Sequence, residues 1–358
     1  MYFKITPPKY YYVTLYEITF LIVYKLALER KIFMKVGKLD SYELKTIIDN
    51  NRGIKRDDVR IRGSIGEDCS VIEFGDMECV VSTDPITGSK NGSGRLAVHI
   101  NCNDIASSGV EPLGILVTIL APEDSTIDDI RGIMEEISEE CRKLNLEILG
   151  GHTEVTSAVN KMVISCTAIG KTLKGTAVKT ANAKPNDDII VTKKLAMEGS
   201  FIAASDKSEY LKDILSEEEI NEAKSYIKHI SVVKEGKICG GFGVNSMHDI
   251  TEGGVLGALW EVSSSSGCGF KVYENLMPLS EVTKKICKKF DIDPLRFISS
   301  GSMLITCKNG GELVKELMEK GVEAKIIGKI TQDKPIMVID GVEEVVTPPD
   351  SDELFKIV

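Results

Sequence analysis

The chain has 358 residues, 42% hydrophobic and 27% charged, with a formal net charge of -10. That length suffices for two domains with cores of their own, and the composition is that of a soluble globular protein. The acidic balance argues against a general nucleic-acid binder and against an anionic-membrane binder, but a nucleotide can still be held where metal and backbone N–H groups meet its charge locally.

Residues 1–33 read as an extension of uncertain status. Tyr10 to Leu28 is apolar and aromatic, but Glu17 and Lys25 interrupt it. The charges favour a loose helix, or upstream sequence that is not translated, over a membrane anchor. Met34 opens a domain start, followed by a helical pattern through Leu44, Ile47 and Ile48. Val71 to Thr83 reads as two strands turning at Gly75-Asp76. Arg95 to Ser107 reads as a helix with Leu96, His99, Ile100, Asn103 and Ser107 on one face and Gly109 as its C-cap. Leu113 to Leu120 is an apolar strand. Ile127 to Leu144 is an amphipathic helix whose stripe of Ile130, Ile133, Met134, Ile137, Cys141 and Leu144 packs a core. Leu146 to Leu149 reads as a short strand ending in a Gly150-Gly151 turn, and Met162 to Ile169 as another strand.

Lys171 to Pro185, rich in Gly, Thr, Lys and Ala, marks a domain boundary. The expected domains are 34–175 and 176–346, with a short tail at 347–358. In the second half, strands are expected at Asp188–Thr192, Met303–Cys307 and Ala324–Ile330. Helices are expected at Glu217–His229, Gly254–Ser264, Ser280–Phe290 and Glu312–Glu319. Strands and helices mix without a strict βαβ rhythm, so the class is α+β, two α/β domains with no short-period repeat. The nine cysteines, Cys69 to Cys307, include no Cys-x-x-Cys pair, and His99, His152, His229 and His248 lack zinc-type spacing. Free thiols in a reducing cytoplasm fit this pattern.

Four acidic clusters lie at the ends of apolar runs: Gly66-Glu67-Asp68-Cys69-Ser70, Ser82-Thr83-Asp84-Pro85, Asn103-Asp104-Ile105-Ala106 and Gly150-Gly151-His152-Thr153-Glu154. Carboxylates in such turns suit a hard cation such as Mg²⁺, held together with substrate phosphates. We read them as an ATP·Mg²⁺ site. Neither a Walker loop nor a Gly-x-Gly-x-x-Gly fingerprint accompanies them. On the residues alone, a cation site and unrelated turn-forming acids both stay open.

Gly66-Glu67-Asp68-Cys69-Ser70-Val71 resembles the Gly-Asp-Asp-Ala-Ala/Cys-Val turn of the aminoimidazole-ribonucleotide (AIR) synthetase superfamily. Ser82-Thr83-Asp84 is similar to its second acidic strand end. Asn103 through Pro112 resembles its Asn-Asp-Ile/Leu-Ala-x-x-Gly-Ala-x-Pro signature, and Gly150 through Glu154 its Gly-Gly-Asp/His/Glu-Thr turn. His248-Asp249-Ile250-Thr251-Glu252-Gly253-Gly254 resembles its Asp-x-Thr-x-Gly-Gly segment. Pro294-Leu295 and Ser299-Ser300-Gly301 look like its later elements. The match spans about residues 35–345 in the family's order and is nearest the hydrogenase-maturation HypE type, with thiamine-monophosphate kinase and selenophosphate synthetase further off.

The resemblance implies a homodimer whose N-terminal domains share a β-barrel, with ATP·Mg²⁺ beside that interface and the C-terminal, α/β sandwich domain closing over it. It implies Asp68, Asp84, Asp104 and Glu154 as metal ligands. Asn103, Gly150, Gly151 and Thr153 would contact the nucleotide, and Asp249 and Thr251 would face the acceptor. For Asp249-Ile250-Thr251 an N-cap of the following helix is the competing reading. His152 and His248 read as hydrogen-bonded structural residues before catalytic bases. Three departures stand out: no cysteine follows Cys307, none precedes Cys69, and Glu67 stands where the family has Asp. The implied activity is phosphoryl transfer from ATP to an amide, carbamoyl or similar oxygen. The alternatives are a small-molecule kinase and a catalytically silent ATP-binding maturation partner.

Overall fold

The hairpin around Gly75 seeds the first of two sheets in the computed structural model, which describes residues 37–87, 91–349 and 351–357. The expectations for residues 1–33 lie outside the described residues. α1 (Ser41–Asn50) starts at Asp40, whose carboxylate accepts from the Tyr42 and Glu43 amides. β1 (Val59–Ile61), β2 (Ser70–Phe74) and β3 (Met77–Ile86) follow, with β2 and β3 antiparallel across Gly75. Then come α2 (Ser93–Ser107), β4 (Pro112–Ala121), α3 (Ile127–Leu144), β5 (Glu147–Val155) and β6 (Val163–Leu173). The sheet order is β1-β2-β3-β6-β4-β5. β4 and β5 are parallel and the other neighbours antiparallel. β1 and β5 are its edges, so no barrel closes among the described residues.

Two elements differ from their sequence reading. α2, read as presenting one face with Leu96, His99, Ile100, Asn103 and Ser107, is buried all the way from Leu96 to Ser107. It lies between α3, β3 and β6 on one side and elements of the second half on the other. The Gly150-Gly151 turn is instead the middle of β5, paired with Leu116 and Val117 of β4. Gly151 is there because the strands come too close for a side chain: a Cβ on it would lie 1.7 Å from the Val117 carbonyl oxygen.

The second half adds β7 (Asp188–Thr192), α4 (Met197–Asp206), α5 (Ser208–Leu211), α6 (Glu217–Ser225), α7 (Val233–Phe242) and β8 (Ser246–Ile250). α8 (Gly254–Ser266), β9 (Gly269–Tyr273), α9 (Glu281–Phe290) and β10 (Ser302–Cys307) come next. α10 (Gly310–Glu319), β11 (Ala324–Thr331), β12 (Ile336–Ile339) and β13 (Val342–Val345) complete it. The second sheet runs β13-β12-β9-β11-β7-β10-β8. Among its described strands β12 and β9 pair in parallel and the other neighbours antiparallel. The mixed α+β class is as expected.

α2 joins the halves. It packs on α7 and β8, and the buried Asn103 side chain donates to the Ile230 carbonyl and accepts from the Val232 amide, each at 2.9 Å. Lys193 grips the same segment, donating to the carbonyls of His229 at 2.9 Å and Ser231 at 2.6 Å and pairing with Glu235 at 2.8 Å. The C-terminal segment packs back as well: Asp352 accepts from the amides of Gly253 at 2.6 Å, Leu354 at 2.7 Å and Ile298 at 3.3 Å. All nine cysteines are free. Among the described residues no helix is long and apolar enough to cross a membrane.

Candidate functional site

Four elements distant in sequence bring their carboxylates to one place. Asp68 lies in the turn before β2, Asp84 on β3, Asp104 on α2 and Asp249 on β8. Gly66 allows the first turn to sit against α8: its φ is 73°, and a Cβ there would meet the Ser265 hydroxyl at 2.4 Å and the Glu261 carbonyl at 2.8 Å. Asp104 and Asp249 form a buried floor, while Asp68 and Asp84 stand exposed at the rim.

The neighbours of these carboxylates fix them. Asp104 accepts from Ser82 Oγ at 2.6 Å. Asn101 holds the Asp84 backbone at both ends, accepting from its amide at 2.8 Å and donating to its carbonyl at 3.2 Å. His248 Nδ1 lies 3.7 Å from Asp68 and 3.9 Å from Asp249, and its Nε2 lies 2.9 Å from Glu261 Oε2. Both carboxylate oxygens of Asp249 are buried without a hydrogen-bond partner.

Crowded acids cannot all ionise in such a place. Burial, and then the charges of Asp249, Asp84 and Asp68, push the Asp104 carboxyl well above its usual range. Burial, and then Asp68, push Asp249 up to about 7. For His248 burial acts downward, but Asp68, Glu261 and Asp249 outweigh it and hold the ring up to about 10. A divalent cation would relieve the repulsion and take up the two orphan oxygens of Asp249, so the donor set fits Mg²⁺.

Asp68, Asp84 and Asp104 therefore meet, and Asp249 joins them from a strand. The capping alternative for Asp249 gives way: the N-cap of α8 is Gly253, with no side-chain cap. Thr251 follows β8, its carbonyl accepting from the amides of Gly254 at 3.1 Å and Ser299 at 3.3 Å. Asn103 has both ends of its amide on the Ile230–Val232 backbone. Gly150, Gly151, Thr153 and Glu154 lie exposed on edge strand β5, where Glu154 pairs with His152 at 3.2 Å. Glu67 is buried, and its carboxylate accepts from the Thr180 amide at 3.4 Å. Ser82, Asn101 and Glu261 were not expected in the site. Ser82 lies inside the second acidic cluster, but its role and those of Asn101 and Glu261 depend on partners from other elements.

Comparison with known proteins follows the same outline. The model of the AIR synthase related protein N-terminal domain matches residues 66–172, and that of the C-terminal domain residues 184–340. A protein of Methanocaldococcus jannaschii provisionally named for hydrogenase expression and formation is 28% identical over 336 residues, covering 90% of this chain and 97% of that one. Carbamoyl dehydratase HypE of Rhizobium leguminosarum bv. viciae is 27% identical over 280 residues, covering 75% and 78%. Among solved structures, a HypE–HypF complex superposes with a TM-score of 0.71 at 22% identity over 87% of this chain and all of that one. A ThiL protein complexed with AMPPCP and TMP gives 0.69 at 19%, covering 88% and 99%. HypE in complex with ATP gives 0.63 at 18%, covering 90% and 98%.

Proposed function

The chain belongs to the AIR synthase related protein family, and from that membership we propose that it is an ATP- and Mg²⁺-dependent enzyme. It transfers a phosphoryl group to an amide, carbamoyl or similar oxygen. The carrying observation is the meeting of Asp68, Asp84, Asp104 and Asp249, with the Asp249 oxygens buried and unpartnered. The HypE and ThiL complexes with ATP and AMPPCP support the nucleotide.

In this reading Asp68, Asp84, Asp104 and Asp249 hold the cation. When bound, Mg²⁺ neutralises the phosphate charge that builds during transfer. Ser82 keeps Asp104 turned into the site, and Asn101 fixes the backbone from which Asp84 reaches. The amides of Gly150 and Gly151 approach a phosphate closely because no side chain intervenes, and Thr153 adds a hydroxyl. Glu154 would join the cation shell. Thr251, two residues beyond Asp249, faces the acceptor.

The reading includes domains 34–175 and 176–346, which the two family matches and two separate sheets support. It also includes a homodimer that completes a barrel from two open sheets. The exposed edge strand β5, with Leu149 and Val155 uncovered, supports this. A protein partner in the manner of the HypE–HypF complex fits the same assembly.

The test is ATP binding and turnover. Asp68→Asn and Asp104→Asn should each weaken Mg²⁺-dependent ATP turnover by at least ~100-fold, the loss typical of a removed charge-stabilising group. Unchanged Mg²⁺-dependent ATP binding in both would remove the assignment. A small-molecule kinase is the second reading, favoured by the ThiL superposition. ADP formed only with an added phosphate-ester acceptor would select it, and tight ATP binding without turnover under any acceptor would leave a binding role.

A further inference from the structure

Three atoms of the acidic site form a set that Mg²⁺ does not call for. His248 Nδ1, Asp68 Oδ2 and an oxygen of Asp249 all lie within 4.8 Å of one another. Two ligands held at about 2.1 Å from one ion stand at most ~4.2 Å apart. His248 Nδ1 is 3.7 Å from Asp68 and 3.9 Å from Asp249, inside that limit. His248 and Asp249 are 2% and 1% exposed, so the ring nitrogen and the two orphan oxygens point into a closed corner, with Asp68 bridging to solvent.

The other side of the ring completes the arrangement. Glu261, on α8, places Oε2 2.9 Å from His248 Nε2. A carboxylate beside one ring nitrogen orients the ring, the usual support of a metal-bound histidine, and a cation at Nδ1 would take the place of the second proton that the surrounding acids hold on the ring. The chain reaches this geometry by packing. Gly66 lets the Asp68 turn press on Glu261 and Ser265, and β8 presents His248 and Asp249 in succession.

The geometry points to His248 as a metal ligand. With Asp68 and Asp249 it forms a mixed nitrogen–oxygen position that takes a first-row transition dication in preference to Mg²⁺. This rests on the reading of the acidic site as a cation site and goes further, by naming the class of ion. Magnesium is served by oxygen ligands, whereas imidazole suits zinc, copper, iron and nickel, and manganese, served mainly by carboxylates, is the weakest binder of that divalent series and so the most stringent probe of it. Glu261 is the positioning residue that keeps the ring in its ligating orientation.

The test uses the full chain stripped with EDTA, without nucleotide, and titrated with Mn²⁺ alone and Mg²⁺ alone. Free Mn²⁺ is counted by its solution EPR signal. Mn²⁺ should bind, and displacing half of it should need at least a ~100-fold excess of Mg²⁺. His248→Asn should weaken Mn²⁺ binding by ~10–100-fold and Mg²⁺ binding by less than about threefold, and Glu261→Gln should give ~10-fold on Mn²⁺. Pulsed EPR of the wild-type protein with Mn²⁺ should show coupling to a ligating imidazole nitrogen, a readout that needs no variant to fold. Bound Mn²⁺ without nitrogen coupling overturns the proposal. So does a Mn²⁺-to-Mg²⁺ preference equal in wild type and His248→Asn, or no Mn²⁺ binding at all. No nucleotide is present, so failure of the ATP reading leaves this result intact. ATP turnover with Mg²⁺ but no nitrogen coupling would sink only this inference.

Discussion

Glu198 shows how a buried acid outside the cation site shapes stability. It sits in the first turn of α4, 3% exposed, with one carboxylate oxygen unpartnered. Burial pushes it from 4.5 up to about 7, with Asp352 and Glu252 adding to the rise and a hydrogen bond from Ser300 opposing it. The folded state thus holds the proton more tightly than the unfolded chain. The stability this supplies is complete below the unfolded value and is lost as pH climbs through about 7. The rise corresponds to roughly 3 kcal/mol. Glu198→Gln keeps the shape and removes the titration. Its melting temperature should fall less than that of wild type between pH 5 and pH 8, and an equal fall in both proteins would refute the assignment. At this scale the sequence revealed acids at the ends of apolar runs, which is why Asp68, Asp84 and Asp104 were readable. Ser82 and Glu261 were not, because each acts on a residue 22 or 13 positions away through tertiary packing.

Elements were readable where their pattern was one-sided. α3 runs over Ile127–Leu144 as expected because its apolar stripe faces the core and its other face is charged. α4 and α7 carry no such stripe, because small and apolar residues run all round them and leave little periodicity. β8 carries no strand pattern for the opposite reason. Its Ser-Met-His-Asp-Ile sequence carries site residues where apolar ones would be expected, yet all five are buried. β5 was cut short because adjacent glycines look like a breaker. The structure gives the two glycines unequal burdens, and this is testable. A Cβ at Gly151 would strike the Val117 backbone at 1.7 Å, while at Gly150 the nearest atom is 3.8 Å away. Both have φ near 145°, so alanine is strained at either. Gly151→Ala should therefore lower the melting temperature well beyond Gly150→Ala and separate β5 from β4. Equal losses would mean that conformational strain, not close approach, selects the pair.

Over the whole molecule, the order of the two halves could be read from the motifs, but their docking could not. Its ties link residues 127 and 129 positions apart, and no local pattern records such a pairing. Asn103 is the residue where docking and chemistry are hardest to separate, because it precedes Asp104 and was expected to touch phosphate. The structure instead commits its buried amide to Ile230 and Val232. Asn103→Ala would leave one amide N–H and one carbonyl buried and unpaired, at a cost of roughly 2–4 kcal/mol. Denaturant unfolding should show that loss with no nucleotide present. Cation affinity should drop with it, since the turn of α2 carrying Asp104 loses its brace. Lys193→Met offers the comparison: it releases the same 229–231 segment from the other side without touching α2. If Asn103 is a brace, the two variants should both lose stability, with the larger effect on cation binding from Asn103→Ala. If it is a phosphate ligand, Asn103→Ala should lose ATP affinity at unchanged unfolding free energy, and Lys193→Met should not resemble it.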